Sequence, residues 1–364
     1  MKKILGTIAT TAIALGTGVI VAGSAAAADK EVHIYNWSNY IDDSILKDFE
    51  KETGIKVVYD VYDAMETLEA KMYAGRSGYD IVVPTDRNMQ LMIEAGVFQP
   101  LDKAKIPNLQ YAWPDIYKRL ANYDPDNTYA VNYMWGTTGL GYDKAKIDAR
   151  MPDAPVDSMD MIFKPEVAAK FADCGIYILN SPEDVMPAAM NYLGLNPDSK
   201  DPADFQKAAD LLMKVRPYIR KFDSSLINPL ATGEACLVFS YSGDILQAKD
   251  SAKEGVDVRY SIPKEGALLW MDSMVVPKDA PNADAAFAFI NYIQKPEVIA
   301  KATNFVKYPN GNLESQKYVD PAILKDPTIY PVPDTFAHLY TTSPNPEDVQ
   351  DKMTDMWQQV LAAQ

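Results

Sequence analysis

The chain has 364 residues, 48% of them hydrophobic, with 35 Lys and Arg against 50 Asp and Glu, a formal charge of −15. That acidic balance, with no stripe of Lys or Arg, excludes nucleic acid as a partner, because neutralising phosphates needs clustered cations. The length suits two domains, and the two histidines, His33 and His338, stand too far apart to suggest a metal centre.

The first segment reads as a secretory signal peptide. Lys2 and Lys3 precede an apolar run from Ile4 through Val21, which closes on Ala25-Ala26-Ala27-Ala28 before Asp29-Lys30. Gly6, Gly16 and Gly18 dilute the run and no basic flank follows it, which argues against a membrane anchor. No Cys stands at the expected cleavage site after Ala28, which argues against a lipoprotein. Cleavage there leaves 336 residues with 33 basic and 50 acidic side chains, a charge of −17, destined for the periplasm.

Next, Val32-His33-Ile34-Tyr35 reads as a strand, and Asp43 to Glu52 as an amphipathic helix with Ile45, Leu46 and Phe49 on one face and Gly54 as its stop. A strand over 55–61, a helix from Glu66 to Tyr73 ended by Gly75, a strand from Tyr79 to Val83 and a helix from Asn88 to Glu94 before Gly96 continue the alternation. Strand-helix alternation predicts a parallel, doubly wound sheet, whose ligands sit beyond the carboxyl ends of the strands. Those ends carry Asn36-Trp37-Ser38-Asn39-Tyr40, Asp63 to Glu66, and Pro84-Thr85-Asp86-Arg87, collecting an indole, hydroxyls, carboxylates and an arginine on one rim.

From Tyr129 to Trp135 the sequence looks like a connecting strand. The glycine cluster Gly136-Thr137-Thr138-Gly139-Leu140-Gly141 lacks the Lys of a phosphate loop and reads as a hinge or turn into a second lobe. That lobe includes 164–171, 203–212 and a strand from Ala235 to Phe239. The segment 256–274 is strand-like, Ala283 to Ile293 is helical, and a last helical stretch starts at Pro346. Two α/β lobes joined by crossing strands near 135 and 263 result. Cys174 and Cys236 are either a disulfide, the usual state of an even pair in an oxidising compartment, or two buried thiols.

Enzyme signatures are absent: no G-x-S-x-G, P-loop, H-E-x-x-H or G-x-G-x-x-G after a strand. Asp124-Pro125-Asp126-Asn127 opens like a calcium loop, but Tyr129 and Trp135 occupy the positions that need Gly and Glu, so a proline turn is expected. What remains is aromatic and acidic residues at short spacing. Trp270 and Asp272 share one face of a strand, and Tyr241 and Asp244 flank Gly243. Carboxylates beside aromatic faces in a cleft favour a cationic ligand.

Longer stretches carry a family resemblance. Ile34-Tyr35-Asn36-Trp37-Ser38-Asn39-Tyr40-Ile41, the run from Phe49 to Asp60, Gly96-Val97-Phe98-Gln99-Pro100-Leu101-Asp102 and Ser261-Ile262-Pro263-Lys264-Glu265-Gly266 resemble the periplasmic polyamine-binding proteins of ABC importers, nearest the putrescine-binding branch. The resemblance implies a two-lobe periplasmic binding protein fold without catalysis or cofactor, monomeric, that captures a polyamine such as putrescine or spermidine and presents it to permease subunits in the inner membrane. It divides the chain into lobe I, 29–136 and 264–316, and lobe II, 137–263 and 317–364, and implies a Cys174–Cys236 disulfide. It assigns Trp37, Tyr241, Trp270 and Tyr308 to the walls around the methylenes. Asp244 and Asp272, helped by Asp184, would take one ammonium; Ser38, Thr85 and Glu66 would serve the other end, with Asn39, Tyr40 and Arg87 also lining the site.

Departures from the family pattern bear on the ligand. Asn39 stands in place of an aspartate, Arg87 in place of a small hydroxyl residue or an aromatic, Tyr241 in place of tryptophan and Asp184 in place of glutamate. Either Arg87 turns outward or pairs with Asp86 or Glu66, leaving an ordinary di- or triamine pocket, or the far half suits a neutral or anionic end, as in an acetylated polyamine or 4-aminobutyrate. A ligand-sensing subunit would show the same residues.

Overall fold

Alternating apolar strands and one-sided helices set the layers. The computed structural model describes residues 30–363; the expected signal peptide and its cleavage point lie outside the described residues. Strand β1 (Glu31–Trp37) leads to α1 (Asp43–Thr53), β2 (Lys56–Tyr62), α2 (Met65–Ala74), β3 (Ile81–Val82) and α3 (Asp86–Glu94). Local chemistry fixes α1: the Asp42 carboxylate accepts from Ser44 N at 2.8 Å, and Gly54 ends the helix at φ 68°, a conformation that costs a glycine little. Its apolar side buries Ile45 and Phe49.

β4 (Ala130–Asp143) is followed by β5 (Ile176–Ile178), α4 (Pro182–Tyr192), α5 (Pro202–Val215), β6 (Ile219–Phe222), β7 (Leu237–Tyr241), α6 (Ser242–Asp250), β8 (Val258–Ser261) and β9 (Leu269–Val275). Helices α7 (Ala283–Ile293), α8 (Pro296–Val306) and α9 (Glu347–Ala362) complete the main elements. The sheet order is β2-β1-β3-β9-β4-β7-β5-β6, with β8 beside β4. β1 is parallel to β2 and β3, and β5 is parallel to β6 and β7. β4 and β9 run antiparallel to their neighbours. Each wing is thus the expected parallel sheet; β4 is the crossing strand expected near 135, whereas residue 263 lies in the loop between β8 and β9 and the second crossing strand is β9.

Alternate side chains enter opposite layers. Ile34, Ile81 and Met274 pack with Phe49 and Phe289 on one face; Tyr35, Val82 and Val275 pack with Leu68 and Met92 on the other. These two cores make lobe I. A third, with Ile176, Ile178, Leu237, Val185, Leu212 and Trp357, makes lobe II. The segment after residue 316 divides its packing: Val319, Ile323 and Ile329 lie with Ala300 and Leu246, Leu339 joins a lobe I core, and Val349 to Val360 join lobe II.

The glycine cluster is no turn, which corrects the sequence reading. β4 runs unbroken through it, every residue buried, with β9 beside 130–137 and β7 and β8 beside 138–143. Its glycines make room. A Cβ at Gly136 would overlap the Trp270 indole, and one at Gly139 would stand 2.6 Å from the Tyr260 hydroxyl. The proline turn appears as a single 3-10 turn over Pro125–Asn127, with Asp126 and Asn127 at positive φ.

Cys174 and Cys236 form the disulfide, with Cα atoms 5.5 Å apart, just ahead of the adjacent strands β5 and β7. No helix among the described residues is long and apolar enough to cross a membrane, and none of their His, Cys, Asp and Glu side chains gather in threes to hold a metal ion.

Candidate functional site

The strand ends and the crossing strands converge where the lobes meet. Asp272, on β9, is buried and accepts from Tyr40 Oη at 2.7 Å and Thr85 Oγ1 at 2.6 Å. Backbone pairing holds Thr85 opposite Asp272, and Tyr133 Oη fixes the Tyr40 carbonyl at 2.6 Å, so both donors are braced. Burial pushes the Asp272 carboxyl up to about 6, against these two hydrogen bonds. Two residues along the same strand face, Trp270 lies edge-on to Tyr308 (centroids 4.9 Å, 77°) and to Tyr241 (5.8 Å, 82°).

Lobe II supplies Tyr241 at the end of β7 and Asp244 in the first turn of α6. Burial pushes Asp244 up to about 6 as well, opposed by the Tyr308 hydroxyl at 3.4 Å. No cation is among the groups acting on Asp244 or Asp272. The indole nitrogens of Trp37 and Trp270 are buried with no partner among the described residues. Trp37 leans on Tyr62 at 4.6 Å, and the Tyr62 hydroxyl is anchored on the Val83 carbonyl at 2.6 Å. Buried Asp272 and half-buried Asp244 thus lie beside aromatic side chains, with no protein cation among the groups acting on either.

Other assigned residues fall elsewhere. Thr85 serves Asp272, not the far end of the pocket, because its register opposite β9 points its hydroxyl there. Asp184 is buried. It sits in the first turn of α4, accepting from Ser181 Oγ at 2.5 Å, Tyr241 Oη at 3.2 Å and Thr138 Oγ1 at 3.4 Å. Ser38 is half-buried, its backbone N–H donating to the Tyr62 carbonyl at 3.1 Å; Asn39 is exposed at φ 55°, a left-handed conformation Asn tolerates. Glu66 is exposed on α2, and no hydrogen bond joins it to this cluster.

Arg87 neither turns outward nor forms an ion pair with Asp86 or Glu66. Its Nη1 donates to the Glu183 carbonyl at 2.7 Å and Thr342 Oγ1 at 3.2 Å, reaching from α3 to the start of α4. Burial alone would lower its pKa; Asp184 first, then Asp86 and Glu183, hold it above the usual arginine range.

Asp86 carries a role that its place in the rim segment only hinted at. It is buried, accepts from Arg87 N at 2.7 Å and Met271 N at 3.0 Å, and is pushed up to about 7 by burial, so it ties α3 to β9 just before Asp272. Tyr340 was also missed: its backbone pairs with Ala267 and Leu269, and Asp184 and Arg87 act on its phenol. Nothing local in the sequence marks a residue 70 positions downstream of the nearest site strand as a neighbour of that strand.

The profile of the bacterial extracellular solute-binding protein family matches residues 44–331. The chain is 48% identical over 356 residues to the putrescine-binding periplasmic protein SpuD of Pseudomonas aeruginosa, covering 96% of this chain and 97% of that one. It is 43% identical over 365 residues to the putrescine-binding periplasmic protein PotF of Escherichia coli, with 99% and 97% covered. Among solved structures, the spermidine/putrescine ABC transporter substrate-binding protein PotD of Streptococcus pneumoniae superposes with a TM-score of 0.81 at 28% identity, covering 91% of this chain and 98% of that one.

Proposed function

The chain belongs to the bacterial extracellular solute-binding proteins, and we propose that it captures a polyamine between its lobes and delivers it to an ABC permease. The carrying observation is the pair Asp244 and Asp272, two carboxylates raised to about 6 by burial with no protein cation acting on them. One belongs to each lobe, so an ammonium between them draws the lobes together. Their carboxylates ionise against it, and Trp37, Tyr241, Trp270 and Tyr308 offer faces to the cation and its methylenes. Burying a four-carbon chain contributes roughly 0.8 kcal/mol per methylene, about 3 kcal/mol in all.

Capture involves no bond making. Ligand stabilises the closed arrangement to the extent that it touches both lobes, and a permease reads that arrangement. We place the mature protein in the periplasm as a monomer, after cleavage behind Ala28. Mass spectrometry of the secreted protein should give a mature chain starting at Asp29.

Calorimetric titration with putrescine, cadaverine, spermidine and agmatine tests the reading. At micromolar protein at least one should bind with measurable heat; four heatless titrations would end the proposal.

A further inference from the structure

Helix α4 lacks one of its own hydrogen bonds. Within a helix each N–H donates to the carbonyl four residues earlier, and the residue four after Glu183 is Pro187, which sits inside α4 and has no N–H. The carbonyl so released is taken by the other lobe. Arg87, on α3 of lobe I, donates Nη1 to the Glu183 carbonyl at 2.7 Å. The same Nη1 reaches Thr342 Oγ1 at 3.2 Å, where the chain passes between the lobes. The Thr342 carbonyl accepts from Tyr123 Oη of a lobe I core at 2.9 Å, while Ser343 donates its N–H and its hydroxyl to Asp198 of lobe II at 2.8 and 3.0 Å. One guanidinium therefore fastens three pieces of chain at the seam: the first turn of α3, the crossing segment and the first turn of α4.

We propose that Arg87 is an interlobe clasp that holds part of the ligand-free population closed, and that Pro187 supplies its acceptor by leaving the Glu183 carbonyl free. Both hydrogen bonds are made by protein groups alone, so the clasp biases the open and closed forms before any ligand arrives. A guanidinium N–H on a carbonyl is charge-assisted and stronger than a neutral pair. Apparent affinity scales with the fraction of protein already competent to bind, so the clasp tightens binding of every ligand that needs the closed form by one common factor. It sets how much protein is closed, not which amine fills it.

Small-angle scattering tests the clasp without ligand. Arg87→Met, which keeps an unbranched stem and removes the donors, should have a larger radius of gyration than the wild type; Pro187→Ala makes the same comparison if the methionine variant does not fold. Resting on the amine reading above, calorimetry should show the putrescine and cadaverine Kd values both raised at least about fivefold in Arg87→Met, by factors within about twofold of each other. Pro187→Ala returns an N–H to α4 for the Glu183 carbonyl. It should raise the putrescine Kd at least about threefold in the wild-type background and less than about twofold in Arg87→Met. Equal radii without ligand, a smaller or amine-selective change in Kd, or the same effect of Pro187→Ala in both backgrounds overturns the proposal. If no amine gives heat, amine capture fails instead, and the ligand-free radii still decide the clasp.

Discussion

Tyr308 of lobe I lies flat against Gly243 of lobe II, so closely that a Cβ on Gly243 would overlap the phenol ring, and its hydroxyl reaches Asp244 at 3.4 Å. Contact between the lobes at the ammonium site thus depends on a missing side chain in the first turn of α6.

Gly243→Ala should separate folding from capture. Gly243 has an ordinary helical backbone, since its φ is not positive, and alanine is the better helix former by about 1 kcal/mol. The ligand-free melting temperature should hold or rise, while putrescine affinity drops at least tenfold because Tyr308 is pushed off α6. Calorimetry beside thermal melts checks both; unchanged affinity would mean the closed contact is dispensable.

Asp244→Asn should weaken amine binding by at least about 2 kcal/mol, the scale of a charge-assisted hydrogen bond. The same change should stabilise the ligand-free protein at pH 8, because a carboxyl raised to about 6 by burial is destabilising once ionised. Opposite signs for binding and for stability are the signature sought.

Proton linkage follows from Asp86, Asp244 and Asp272, raised to about 7, 6 and 6. Between their unfolded value near 4 and pH 7 the folded chain holds more protons than the unfolded one, so their contribution to stability falls as pH rises through that window. An ammonium favours the ionised forms, so amine affinity should rise from pH 5 to pH 8. Titrations at pH 6 in buffers of different ionisation enthalpy should show protons released on binding.

Reducing the Cys174–Cys236 bridge, which closes a loop of 62 residues, should lower stability by about 4 kcal/mol in the chain-entropy model. It ties the starts of β5 and β7 within lobe II, remote from the carboxylate pair. Urea melts of the Cys174→Ala/Cys236→Ala variant should show the loss, with putrescine affinity at low denaturant within threefold of the wild type.

Where local chemistry decides, the sequence was readable. The Asp42 cap and Gly54 stop bracket α1, the spacing of apolar residues places α7, and the strand ends carry Trp37, Tyr40 and Thr85 to one rim. Long-range packing was not readable. Gly136 and Gly139 resemble turn residues until Trp270 and Tyr260, more than 100 positions on, are seen to occupy the space of their side chains. Thr85 was given the wrong end of the pocket because its partner Asp272 is 187 residues away.

β4 belongs to three cores: Val131 and Trp135 lie in the two of lobe I, Leu140 and Tyr142 in that of lobe II. A strand shared by all three cores couples the melting of the two lobes, so the amides near Thr137 and Thr138 should be among the last to exchange with solvent.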